Sequence, residues 1–202
     1  MLVLLAALFA APLAVSFVMY YGHSGLQPTR RVNHGDLLNP AVPLPPASLP
    51  LAAADADPTA VTVTAADFLR HTWTLVFVGD GACNERCRKA LYDTRQVRIA
   101  LDRDMVRVQR VFIATGSRCD LDYLRHEHPD LIVARAGDAA APLLEIFNAA
   151  DRAAGDAAAG AAGGRVYLVD PLSNLVLSYA ADAPAKGLLE DLKRLLKLSQ
   201  IG

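Results

Sequence analysis

One stretch, Trp73 to Leu101, restricts the fold more than any other part of the chain. Trp73-Thr74-Leu75-Val76-Phe77-Val78 is a short β-branched and aromatic run, ended by Gly79-Asp80-Gly81. Such a run with a glycine turn behind it reads as a buried strand. From Asn84 to Leu101 the period changes. Cys87, Ala90, Leu91, Thr94, Val97 and Leu101 recur at helical spacing, with arginine and lysine between them. A buried strand therefore runs into a helix with one apolar face, and Val106 to Ala114 reads as the next strand.

The later chain completes the pattern. Leu121 to His126 reads as a short helix, Leu131 to Ala134 as a short strand and Leu143 to Phe147 as a helical turn or two. Arg165 to Asp170 and Leu175 to Tyr179 are strand-like runs across the turn Pro171 to Asn174, which makes a β-hairpin. Pro184 to Leu198 reads as an amphipathic helix, with Pro184 near its start and Lys193, Arg194 and Lys197 toward its end. A parallel pair joined by a helix, then a hairpin and a last helix, predicts an α/β fold: a thioredoxin-like mixed sheet with helices on both faces.

Ahead of this domain, Leu2 to Tyr21 contains no charge and is almost wholly apolar. About twenty helical residues span roughly 30 Å, the hydrocarbon thickness of a bilayer. The run ends on Tyr20 and Tyr21, which suit a membrane interface. The expected organisation is a transmembrane anchor over 1–21, a proline-rich tether over 22–57 and the thioredoxin-like domain over 58–202. Proline-rich segments run extended and hold a domain off a surface. Within the tether, Asn33-His34-Gly35 with Leu37-Leu38 stands out as a turn able to pack on the domain. Arg30 and Arg31 follow the apolar run and no basic residue precedes it, which favours a cytoplasmic domain by the positive-inside rule.

The chemistry of the chain concentrates at Cys83 and Cys87, taken as both the catalytic and the metal-binding candidates. Cys83 follows the glycine turn and precedes the helix; Cys87 lies one turn further on. Helix N-termini stabilise thiolate over thiol, and Arg86, Arg88 and Lys89 add positive charge, so a lowered Cys83 pKa is expected. The Cys-x3-Cys spacing leaves two uses open. In a regular helix the two Cβ atoms lie about 5–6 Å apart, whereas a disulfide wants about 3.5–4.5 Å. The pair closes only where Cys83 lies in the loop; otherwise two thiolates share a soft ion such as Cu(I) or Zn(II). The alternative is a buried, inert Cys87 on the apolar helix face.

The unit from Thr74 through Leu91, with Val166-Tyr167-Leu168-Val169-Asp170-Pro171 and Leu175 to Tyr179, resembles the Sco/SenC family over residues 60–200. The resemblance implies a membrane-anchored, thioredoxin-like factor that assists cytochrome c oxidase maturation, by copper(I) handling or by thiol reduction of an oxidase subunit. It implies placement at the inner membrane with the soluble domain on the periplasmic side. Cys83 and Cys87 match the family's cysteines. The family's copper-ligand histidine, expected near Ala162, has no counterpart: no histidine follows His128. Arg88 replaces the usual proline after the second cysteine. Two thiolates hold Cu(I), while Cu(II) prefers nitrogen donors as well. The chain thus reads as a divergent member.

Two further function classes stand beside this one: a membrane-tethered thiol–disulfide oxidoreductase of other clients, and a redox-inert scaffold. A net charge of −1 with no basic tract argues against a nucleic-acid partner. Cys119, His126 and His128 form a second suggestive group, but histidines two apart do not share a helix face. Gly163-Gly164 does not follow a strand and open a helix, so it is no nucleotide fingerprint. The proline that precedes the corresponding strand in thioredoxins is absent.

Overall fold

The computed structural model describes residues 1–21, 32–46, 48–51, 62–64, 69–116, 118–155 and 164–199. They fall into two compact units, Met1–Val32 and Asn33–Gly202.

The first unit contains helix α1 (Leu2–Tyr21), which carries Pro12 and exposes Leu4, Leu8, Phe9, Leu13 and Phe17. The expected helix is there. Its expected role gains no support, because among the described residues no helix is long and apolar enough to cross a membrane.

In the second unit, β4 (Trp73–Asp80) is buried along its whole length up to Asp80. It pairs in parallel with β5 (Val108–Thr115), which pairs in parallel with β6 (Leu131–Arg135). On its other side β4 pairs antiparallel with β7 (Val166–Val169), which continues as a hairpin into β8 (Asn174–Tyr179). The sheet ends on β1 (Asp36–Pro43), antiparallel to β8, giving the order β1-β8-β7-β4-β5-β6. A small second sheet pairs β2 (Ser48–Pro50) with β3 (Thr62–Thr64), and Leu51 makes one bridge to Ala134 of β6.

Alternation along β4 divides the core. Leu75 and Phe77 face α2 (Glu85–Ile99) and α5 (Ala185–Leu198), in one cluster with Leu91, Phe112, Leu188 and Leu192. Val76 and Val78 face α4 (Ala141–Ala153), in a second cluster with Leu143, Phe147 and Tyr167. A short α3 (Leu121–Glu127) connects β5 to β6. This is the expected thioredoxin-like mixed sheet with helices on both faces.

Part of the stretch read as a tether over 22–57 lies in strands. Residues 36–43 form an edge strand and 48–50 a strand of the small sheet. Pro40 and Pro43 hide this strand from a pattern search, since proline cannot donate to a ladder and is confined to edges. What fixes the strand is distant. Buried Asp191 on α5 accepts the backbone N–H groups of His34 at 2.7 Å and Gly35 at 3.0 Å, and the Tyr179 hydroxyl at 3.0 Å. Gly35 is required, because an added Cβ would lie 2.6 Å from the Tyr179 ring. A buried Arg165 donates to Asp36 and Ser178 and lies 3.4 Å from the Asp151 carboxylate.

Candidate functional site

The parallel register brings the ends of β4 and β5 level, with Asp80 opposite Thr115. Two loops therefore leave the sheet side by side. In the first, the Asp80 carboxylate accepts the Ala82 N–H at 2.8 Å, and its carbonyl accepts the Cys83 N–H at 3.0 Å. The second packs directly on the first: Asp120 donates its N–H to the Gly81 carbonyl at 3.0 Å. A Cβ at Gly81 would meet the Arg118 carbonyl oxygen at 2.1 Å, so no other residue fits the approach.

Cys83 lies in this loop with φ +47°, in the left-handed region. Asn84 is the N-cap, and its side chain accepts the Cys87 N–H at 3.1 Å, satisfying one of the orphan donors of the helix end. Because the helix begins at Glu85, the two cysteines do not share helical geometry. Their Cα atoms are 5.0 Å apart and the sulfurs are joined as a disulfide. That separation lies within the range disulfides use. Of the uses left open by the spacing, the structure contains the closed pair. Both cysteines are buried, at 1% and 4% exposure, and a closed disulfide has no thiol proton to titrate. The expected lowering at Cys83 applies to the reduced form.

Arg88 joins the pieces. Its Nε donates to the Cys83 carbonyl at 3.2 Å, its guanidinium lies 4.2 Å over the Tyr123 ring, and it stands 3.6 Å from the Asp120 carboxylate. In the sequence Arg88 reads as positive charge beside the pair and as the replacement of a proline, and nothing there joins Asp120 or Tyr123 to the cysteines. Asp120 carried an available signal as the N-cap of α3, where it accepts the Tyr123 N–H at 3.3 Å.

The histidines lie elsewhere. His126 is exposed beside Glu127. His128 is buried, with the Tyr123 ring edge-on at 5.9 Å and neither ring nitrogen hydrogen-bonded. Burial, with Arg110 and Arg95 nearby, pushes its pKa down to about 4. Cys119 is a free, half-buried thiol packed on the cluster that contains Cys83 and Cys87; burial pushes its pKa up. Ala162 lies outside the described residues. Among the described residues no group of three His, Cys, Asp or Glu side chains could hold a metal.

A family model described as "Transmembrane-like, thioredoxin-like, C-terminal domain" matches residues 73–199, from the start of β4 through α5. The chain belongs to this family. Solved structures share the fold. Apo Sco1 from Thermus thermophilus aligns with a TM-score of 0.55 at 19% identity, covering 83% of this chain and 99% of that one. Copper-bound yeast Sco1 aligns at 0.54 and 16%, covering 78% and 94%. A thiol:disulfide interchange protein of the thioredoxin family from Chlorobium tepidum aligns at 0.54 and 18%, covering 77% and 97%. No curated protein is significantly similar in sequence.

At these identities the solved structures show a shared fold, so the chemistry rests on this chain's own residues. In the closed form the pair offers no thiolate, and no nitrogen donor stands beside it among the described residues. That donor set does not fit a resident copper held by three side chains.

Proposed function

We propose that this member of the family is a membrane-tethered thiol–disulfide exchange protein that keeps a client's cysteines reduced. The observation that carries the reading is the Cys83–Cys87 disulfide, closed where β4 runs into the head of α2. In the reduced form, the Cys83 thiolate attacks a client disulfide, forming a mixed disulfide and releasing one client thiolate. Cys87, as thiolate, displaces the second client thiolate and closes Cys83–Cys87. Two electrons pass to the client, and the two protons given up by the pair reach its thiolates through solvent. The helix N-terminus favours the Cys83 thiolate.

The client, on the resemblance to the Sco/SenC family, is a cytochrome c oxidase subunit, and the role is that of an assembly factor. The periplasmic side of the inner membrane is the proposed location of the domain, on the same resemblance. The proposed anchor rests on the charge-free sequence Leu2 to Tyr21 alone. A second reading takes Cu(I) as cargo on the two thiolates of the reduced pair. It is favoured by the soft donor set, two thiolates four residues apart.

Deletion of the gene and rescue tests the reading. Loss of oxidase activity that the unaltered chain restores and the Cys83→Ser, Cys87→Ser double variant does not is the expected result. Full rescue by the double variant would overturn it in favour of a scaffold. Cu(I) titration of the reduced protein separates the second reading, for which Cys83→Ser must weaken binding.

A further inference from the structure

We infer that Arg88 is a positioning residue for the pair: it holds Cys83 in the backbone conformation from which the Cys83–Cys87 disulfide closes. The inference rests on the exchange reading above. At φ +47°, Cys83 occupies a region that residues with a Cβ rarely enter and only at a cost. Besides the disulfide, two contacts hold it there. Its N–H donates to Asp80, inside the turn, and its carbonyl accepts from Arg88 Nε.

The second contact reaches across the pair. Arg88 follows Cys87 directly, so a side chain attached beside one cysteine holds the peptide group of the other. Arg88 is in turn held by the neighbouring loop. Tyr123 lies under its guanidinium, and Asp120, 3.6 Å away, is bonded through its own N–H to Gly81. The planar fork of arginine permits all three contacts at once; the ammonium of lysine carries the same charge without the fork or the plane.

Reduction removes the covalent link, and Cys83 is then able to relax toward negative φ. The Arg88 bond opposes that relaxation and keeps the two thiols in closing geometry, which raises the effective concentration of one at the other. The charge itself contributes less, because the guanidinium is half exposed and shares Asp120.

The test equilibrates the full chain with glutathione buffers of known ratio and reads the closed fraction by alkylation and mass. Two glutathione thiols reduce one Cys83–Cys87 disulfide to the dithiol and become one glutathione disulfide, so electrons and hydrogens balance. Arg88→Ala is expected to lower the closure constant about tenfold, which moves the potential up by about 30 mV. Arg88→Lys is expected to move it equally. An unmoved potential in both variants overturns the inference. So does a wild-type value in Arg88→Lys, which would assign the effect to charge. Should Arg88→Ala fail to fold, Tyr123→Leu leaves Arg88 in place and removes its support; a smaller shift in the same direction is expected, and no shift overturns the inference. A wild-type pair that neither glutathione nor dithiothreitol reduces would instead overturn the exchange reading, and this inference with it.

Discussion

Asp191 accepts the backbone N–H of His34 at 2.7 Å, joining residues 157 positions apart. The carboxylate is buried, and its other hydrogen-bond donors, Gly35 N–H and the Tyr179 hydroxyl, come from the turn before β1 and from β8, while Arg194 lies 3.8 Å away on its own helix. Burial and the neighbouring Asp191 charge keep the Tyr179 phenol protonated, so the contact stays a donor-to-carboxylate bond through the physiological range. Asp191→Ala leaves three donors without their acceptor. A loss of about 2–4 kcal/mol of unfolding free energy is expected in denaturant titration. Hydrogen exchange should speed up first in residues 33–43.

Gly81→Ala tests the contact between the two loops. Its Cβ would sit on the Arg118 carbonyl oxygen, which is backbone and cannot swing away. The expected destabilisation is about 2–4 kcal/mol. A thermal unfolding midpoint within a degree of wild type would show that the loops are not pressed together.

His128 predicts an acid-side loss of stability. Its folded pKa, about 4, lies below the ordinary histidine value of 6.5. Well above pH 6.5 the ring is neutral in both states and contributes no pH dependence. As pH falls from 6.5 to 4, the unfolded chain takes up a proton that the folded chain refuses, so stability drops through that window by on the order of 3 kcal/mol. Asp130 and Glu127 oppose the effect of Arg110 and Arg95 without cancelling it. His128→Phe keeps the ring and removes the titration. The difference between its stability–pH curve and that of the wild type should carry this slope; parallel curves would refute it.

The parts of the fold that were legible in the sequence are those where one local pattern decides. Buried β4 is a continuous apolar run, α2 repeats its apolar face from Cys87 to Val97, and the hairpin is punctuated by Pro171 to Asn174. The illegible parts depend on contacts between distant residues. Edge strand β1 has little alternation to read, and Asp191 and Arg165 fix it from far along the chain. At the site, the residue types were readable and the choice between shared metal and disulfide was not. That choice turned on where the first helical turn begins, set by Asn84 as the cap, and on the left-handed backbone at Cys83.

The two flanks of the six-stranded sheet have a consequence for recognition. On one flank, β1 carries Pro40 and Pro43 and shifts register between Leu37 and Val42. On the other, the Leu51 bridge lies along β6 at Ala134. Prolines, irregular pairing and a covering segment each discourage a foreign strand from extending a ladder. Under the exchange proposed above, docking of a client by strand addition is disfavoured at both borders, and the disulfide itself lies end-on, at the level tips of β4 and β5, among the side chains of two short loops.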